Sequence, residues 1–388
     1  MRKGITTLLV LSIIFFSGMT CSEAVLDRKI LDRSLELGRS FLLSHQKEEG
    51  NFTYEYDWIN KTFSRGDNQV RQAGAAWGIA LIYQDSPDGE TEKAIRKALQ
   101  FFRDRSKVRS TGSRYVVYPD ESAGSTGTVA LCALTLIDFL RAAEERISPE
   151  EYSDLRKLLD EYLQFLVEAR DPSGLWHRSF LFLNGIPYGP SSPYFDGEAL
   201  LALVKAARYL DRKDLVPIIL DSAEKGYWNN VVLALKKDRD SAVTKGYFQW
   251  ASMAYFELAH SGWKDTLKYG ERLMELSHWM IDVHRTLGRT RNTAYAYEGI
   301  IPAYEWARKT GKSEDAGKFR NTIEKGLGKL CTWQVGSPWA NSFIRSHSTD
   351  DPLAIGGVQN HGREPLLRID VTQHQMHAVI LARRYVFP

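Results

Sequence analysis

Small and apolar residues gather in six stretches of this chain, each preceded by a polar cluster: Asp67–Tyr83, Ser125–Ala142, Tyr194–Leu210, Tyr247–His260, Arg291–Ala307 and Arg368–Tyr385. Their starts lie roughly 45 to 77 residues apart, about the length of a helical hairpin with a variable loop. The segments between them have a different pattern. In Val25–His45, apolar residues recur at helical spacing (Leu31, Leu35, Phe41, Leu42), and in Glu92–Asp104 they are Ile95, Leu99, Phe101 and Phe102. Pro149–Ala169, Leu215–Asn229, Thr266–His284 and Ser313–Cys331 continue the series. This spacing predicts amphipathic helices with one wet face, whereas the Ala- and Gly-rich stretches have almost none. Ser148 with Glu151 three residues on reads as a capping box. Gly50, Gly174 and Gly336, each followed by an aromatic residue, mark turns after helices.

Six wet-faced helices alternating strictly with six dry ones predict two concentric rings, an all-α (α/α)6 toroid with a few short β-hairpins in its loops. The small-residue helices form the inner ring, where close packing excludes charged side chains. The alternation, together with turns such as Gln46, Gly50 and Phe52 in a Gln-x-x-x-Gly-x-Phe pattern, resembles the (α/α)-toroid superfamily. That group includes six-hairpin glycosidases, polysaccharide lyases, sugar epimerases and terpenoid-cyclase-like proteins. The resemblance is architectural. The Asp-rich motif of terpene synthases and the Cys-Cys-His zinc set of lanthionine cyclases are both missing from the sequence.

The N-terminus modifies this picture. Met1-Arg2-Lys3 followed by the apolar run Gly4–Met19 reads as a signal peptide over residues 1–24, short of the ~20 residues of a membrane span, with a single uncleaved membrane anchor as the alternative. Two processing routes fit. Ser22-Glu23-Ala24 suits ordinary cleavage, and Cys21 stands where a bacterial lipoprotein carries its lipid, although Gly18-Met19-Thr20 departs from the lipobox. Residues 25–388 then form one domain working outside the cytoplasm. A net charge of +3 gives no argument for nucleic acid or a polybasic membrane patch. Cys132 and Cys331 are the remaining cysteines, and a bridge between them is open in an oxidising compartment.

In the resembled enzymes the inner-helix N-termini open on one face that carries the active-site cleft, so the residues at those starts are the candidates here. The acid–base candidates are Glu198, Asp196, Asp370 and Glu298, with His374, one turn beyond Asp370, and Tyr295 as proton carriers. Asn68, Arg71, Tyr194, Gln249, Trp250, Arg291, Asn292, Arg368 and Gln373 are the substrate-binding candidates. Asp67, Ser125, Asp196, Asn292 and Asp370 also sit where helix caps belong. Arginines near helix N-termini run against the helix dipole, by about 0.3–1 kcal/mol each. Either a nearby cap carboxylate pairs with them or they serve an anionic ligand such as a uronate. No motif calls for a cofactor, and no motif beyond the spacing of Asp370, His374 and His377 supports a metal.

The leading expectation is an exported carbohydrate-active enzyme that hydrolyses, eliminates or epimerises an acidic polysaccharide. The alternatives are a non-catalytic glycan- or protein-binding envelope toroid, and a metal-dependent enzyme using Asp370, His374 and His377. The long polar segment Trp339–Leu367 is expected partly to cover the cleft.

Overall fold

In the computed structural model, which describes residues 26–388, helical hairpins follow one another around a common axis. The order is α1 (Arg28–Ser44), β1 (Glu55–Asp57), β2 (Thr62–Phe63), α2 (Gln69–Asp85), α3 (Gly89–Asp104), β3 (Ser106–Val108), β4 (Arg114–Val116), β5 (Gly124–Ser125) and α4 (Thr126–Ala143). Next come α5 (Pro149–Glu168), β6 (His177–Phe180), β7 (Pro187–Ser191), α6 (Pro193–Tyr209), α7 (Val216–Tyr227), α8 (Ala234–Lys237) and α9 (Ala242–Ala259). The chain ends with α10 (Lys268–Asp282), α11 (Ala294–Lys309), α12 (Ser313–Cys331), α13 (Ser342–Ser346), β8 (Leu366–Arg368) and α14 (Ile369–Tyr385). The expected leader, residues 1–24 with Cys21, lies outside the described residues.

The dry helices α2, α4, α6, α9, α11 and α14 each pack on the next, and α14 packs back on α2, so the inner ring closes. Residue size is the physical reason. Ala73, Ala75, Ala76 and Ala80 of α2 are at most 1% exposed, and Gly78 lets the stem of Gln373 from α14 lie against the helix backbone. A β-carbon at Gly78 would fall 2.3 Å from Cγ of Gln373. The outer helices α1, α3, α5, α7, α10 and α12 pack their apolar stripes on this ring. Their ends are capped as polar helices require: Asp88 accepts from Glu90 and Thr91, and Ser148 accepts from the Glu151 amide at 3.2 Å.

The interior of the ring is filled. Asp138 of α4, fully buried, accepts from Trp77 Nε1 of α2 at 2.9 Å and pairs with Lys205 of α6 and with Arg141. Burial alone would push the Asp138 carboxyl up, but Lys205 and Arg141 hold it below the usual carboxylate range. Three short antiparallel sheets, β2–β1–β8, β3–β4 and β5–β6–β7, edge the ring.

Two expectations need correction. The fourth inner helix starts at Ala242 rather than at Tyr247, because Ser241 caps it by accepting from the Val243 amide. Tyr247 is therefore buried inside the helix, 3.2 Å from the Tyr255 hydroxyl, and not at its mouth. Cys132 and Cys331 are both buried free thiols and form no bridge.

Candidate active site

The inner helices share one direction, and their starts surround a cleft of about 990 Å3. α2, α6, α11 and α14 line it with residues of their first two turns, α9 reaches it with Lys245 and, from its third turn, Gln249 and Trp250, and α4 contributes Leu131. Thirteen of the sequence candidates line this cleft: Asn68, Arg71, Tyr194, Glu198, Gln249, Trp250, Arg291, Asn292, Tyr295, Arg368, Asp370, Gln373 and His374. The segment before α14 reaches the rim through Asn360, and the β6 strand brings Arg178.

The lining is cationic. Arg71, Arg178, Lys245, Arg289, Arg291 and Arg368 face only two lining carboxylates, Asp370 and Glu198. Asp370 is shared. Arg368 donates to it from Nε at 2.9 Å, and Arg71 Nε lies 3.3 Å away. Both guanidiniums also approach the Tyr54 ring, which the β1–β8 pairing brings beside them. Burial would raise Asp370, but Arg368 and Arg71 outweigh it and keep the group ionised. Of the two accounts of these arginines, pairing with a nearby carboxylate thus applies to Arg71 and Arg368, two cations on one anion, although Asp370 stands inside the first turn of α14 and caps nothing. Arg291 is different: its side chain is 67% exposed and its nearest carboxylate, Glu364, is 4.0 Å away.

At the floor stands His374, with Nδ1 3.1 Å from Oε2 of the fully buried Glu298. The other Glu298 oxygen lies 2.7 Å from Nδ1 of His377, and Gln249 Nε2 donates to Oε2 at 2.6 Å. Because Nδ1 of His374 faces the carboxylate, Nε2 is the nitrogen left for the cleft. Burial alone would lower His374, but the Glu298 charge and hydrogen bond raise it above its ordinary value. Its partner is held below the usual carboxylate range because His374 and His377 offset the cost of burial. Trp250 meets the His374 ring edge-on, with centroids 6.2 Å apart.

Glu198 is the opposite kind of carboxyl. It is 2% exposed, its Oε2 has no hydrogen-bond partner, and burial pushes it well above the carboxylate range. Gly127 of α4 makes room for it, since a β-carbon there would sit 2.2 Å from that oxygen. Glu198 is thus a neutral acid in a cleft wall. Nε2 of Gln373, also buried, is likewise without a partner. Buried polar atoms of this kind carry a desolvation cost that a bound polar ligand relieves.

A further set lies at the α9 and α11 starts. Tyr295, Lys245, His284 and Arg289 line the cleft together, with Lys245 Nζ 4.6 Å from the Tyr295 ring centre and 3.3 Å from the Tyr194 hydroxyl. Lys245, His284 and Arg178 are missing from the sequence candidates. Lys245 lies in the part of α9 ahead of its apolar run, and the other two stand outside the inner helices.

Several candidates have other places. Asp196 does not line the cleft. It is 1% exposed and clamps two segments, Oδ1 accepting from the Trp176 amide at 3.0 Å and Oδ2 from Asn230 Nδ2 at 2.9 Å. Glu298 lies behind His374 rather than in the wall. Asn68, not Asp67, caps α2, accepting from the Arg71 amide, while Asp67 binds Gln72 and Tyr118. Ser125 makes no side-chain cap bond. Asp370, His374 and His377 do not converge: Asp370 faces arginines and both histidines turn Nδ1 to Glu298. Among the described residues no group of three His, Cys, Asp or Glu side chains has metal-holding geometry.

No protein-family model matches the chain, and no curated sequence aligns with it significantly. Solved structures do match in shape. A cellobiose 2-epimerase from Bacillus thermoamylovorans aligns with TM-score 0.63 at 12% identity, over 92% of this chain and 99% of its own. A sugar epimerase from a ruminal bacterium gives 0.62 at 13% identity, over 92% and 98%. An unsaturated glucuronyl hydrolase specific for heparin gives 0.61 at 11% identity, over 92% and 98%. At such identities the likeness establishes the fold: the chain is an (α/α)6 toroid of the kind these enzymes share.

Proposed function

We propose that this protein is a carbohydrate-active enzyme that moves a proton at a carbon next to a carbonyl or carboxylate of an acidic sugar, by epimerisation, isomerisation or elimination. One observation carries the reading: His374, oriented by the buried Glu298, stands in a cleft whose other charges are overwhelmingly cationic. A base held by a carboxylate removes the proton, and guanidinium and ammonium groups stabilise the enolate charge that develops. The neutral Glu198 serves as a hydrogen-bond or proton donor to the substrate oxygen. The aromatic walls at Tyr194, Trp250 and Tyr295 suit sugar rings. Fold likeness to epimerases and to a heparin-specific glucuronyl hydrolase supports the sugar assignment.

Hydrolysis has one observation in its favour, the neutral Glu198, which suits a general acid. It would need Asp370 as the second carboxylate, and Asp370 is already engaged by Arg368 and Arg71. The N-terminal leader supports action outside the cytoplasm, with or without a lipid at Cys21, and fractionation of the expressed full chain tests that placement.

The activity is tested by incubating the protein with a library of acidic and neutral oligosaccharides and analysing products. Turnover of uronate-containing sugars to epimers, isomers or unsaturated products is expected. Turnover confined to neutral sugars overturns the acidic-substrate reading, and release of saturated fragments overturns the proton-transfer reading.

A further inference from the structure

We infer that Tyr295, His284 and Asp240 form a proton relay that makes Tyr295 a second acid–base group of the cleft beside His374. This deepens the proton-transfer reading above and rests on it.

The three groups come from separate segments: Tyr295 from the first turn of α11, His284 from just beyond α10, and Asp240 from the turn before α9. The Tyr295 hydroxyl lies 3.3 Å from Nε2 of His284, and Nδ1 of His284 lies 2.7 Å from Oδ1 of Asp240. Arg289 donates to the other Asp240 oxygen at 2.9 Å and to the His284 carbonyl at 2.8 Å. Trp279 stacks on the His284 ring, with centroids 5.5 Å apart, and its Nε1 donates to the Arg239 carbonyl. The imidazole is thus held on its face and at its edge.

The hydrogen bonds fix the tautomer. Asp240 is ionised: burial would raise it, but His284 and Arg289 bring it below the usual carboxylate range. It can only accept, so Nδ1 of His284 carries the proton. Arg289 Nη2, 3.0 Å from that nitrogen, is a second donor, and its bond goes to Asp240. Burial lowers His284, so the ring is neutral and Nε2 offers a lone pair to the Tyr295 hydroxyl. Burial, more than the nearby charges, pushes that phenol up to about 12. An unassisted Tyr295 would therefore hold its proton, and the histidine behind it supplies the route away.

The step balances as follows. The substrate C–H bond breaks, and its proton goes to the Tyr295 oxygen. The Tyr295 hydroxyl proton passes at the same time to Nε2 of His284. The electron pair stays on the substrate as an enolate facing the cationic lining, and the imidazolium is stabilised by Asp240. Asp240 is 43% exposed at its side chain, so the relay ends at solvent, where the proton can be exchanged. Tyr295 is the catalytic residue, and His284 and Asp240 are positioning residues.

The test has two arms on the full chain. In the first, 15N-histidine NMR at pH 7 reads the His284 tautomer: proton on Nδ1 in the wild type, with a shift toward Nε2–H in D240N. A wild-type His284 that is charged, or protonated at Nε2, overturns the relay. In the second, exchange of substrate carbon-bound hydrogen with D2O is followed for the wild type, Y295F and D240N. Y295F should lose on the order of 10²-fold or more in kcat with KM nearly unchanged, and D240N at least about tenfold. Wild-type exchange with an unaltered kcat in Y295F overturns the relay and leaves the proton-transfer reading standing. A wild type that exchanges no hydrogen in any acidic sugar overturns both.

Discussion

Asp196→Asn should make the protein more stable at alkaline pH relative to the wild type, and the size of the effect follows from the site. Asp196 is 1% exposed between the Trp176 amide and Asn230, and burial raises its carboxyl from the ordinary 3.8 to about 7. A raised carboxyl means that between those values the folded chain binds a proton that the unfolded chain does not. Stability then falls as pH rises through that window and is flat above it. Two pH units, from pH 5 to the folded value, are worth about 3 kcal/mol at ~1.36 kcal/mol per unit. Asparagine does not titrate. It keeps the bond to Trp176, and it keeps the one to Asn230 if that amide turns to present its oxygen. All other titrations are common to both proteins and cancel in the difference. Urea unfolding followed by tryptophan fluorescence at pH 5 and pH 8 reads this directly. The difference in unfolding free energy should move by about 3 kcal/mol in favour of the variant. Two stabilities that run parallel across this range would refute the reasoning, and loss of turnover in a well-folded variant would return Asp196 to the chemistry.

Other outcomes follow from the same geometry. Arg291→Ala should change stability by less than about 0.5 kcal/mol, since the side chain is exposed. The same change should weaken binding of an acidic oligosaccharide by about 1.5–3 kcal/mol, as calorimetry on the two proteins would show. Glu298→Gln removes the charge that raises His374 and leaves burial, which lowers it. The acid limb of the pH–rate profile, where His374 gains a proton and stops acting as a base, should therefore move to lower pH. Gly127→Ala brings a β-carbon to 2.2 Å from Glu198 Oε2 and 2.5 Å from Phe195, so turnover should fall with the loss of the Glu198 position. Asp138→Ala leaves Lys205 buried without its partner and should cost about 3–5 kcal/mol in urea unfolding.

The inner ring is legible in the sequence because its cause is local. A helix that touches neighbours on every side needs alanine and glycine, and runs such as Gln72–Ala80 show this without knowledge of the partners. The start of each run places Arg71, Glu198, Asp370 and His374 near one face. Legibility stops where polar residues begin a helix that later turns apolar. Ser241 caps α9, and Ala242 to Lys245 open it without an apolar pattern, so Lys245 goes unseen and Tyr247 is misplaced. It also stops at loops. His284 reaches the cleft from the turn after α10, with Asp240 behind it from the turn before α9, and nothing in their own surroundings announces it. The division of carboxyls into a neutral Glu198, an ionised Asp370, a clamping Asp196 and a supporting Glu298 depends on which donors stand beside each. That is a property of ring closure, which no single segment contains.

The most direct measurement is to run the reaction on a uronate-containing oligosaccharide in D2O and examine the recovered sugar by mass spectrometry and proton NMR. Epimerised or isomerised sugar should carry one carbon-bound deuterium beside the carbonyl or carboxylate. An elimination product would instead show a new double bond at that carbon. Both outcomes should vanish in His374→Gln. Turnover that leaves every carbon-bound hydrogen in place, in products cut only at the glycosidic bond, would contradict the account.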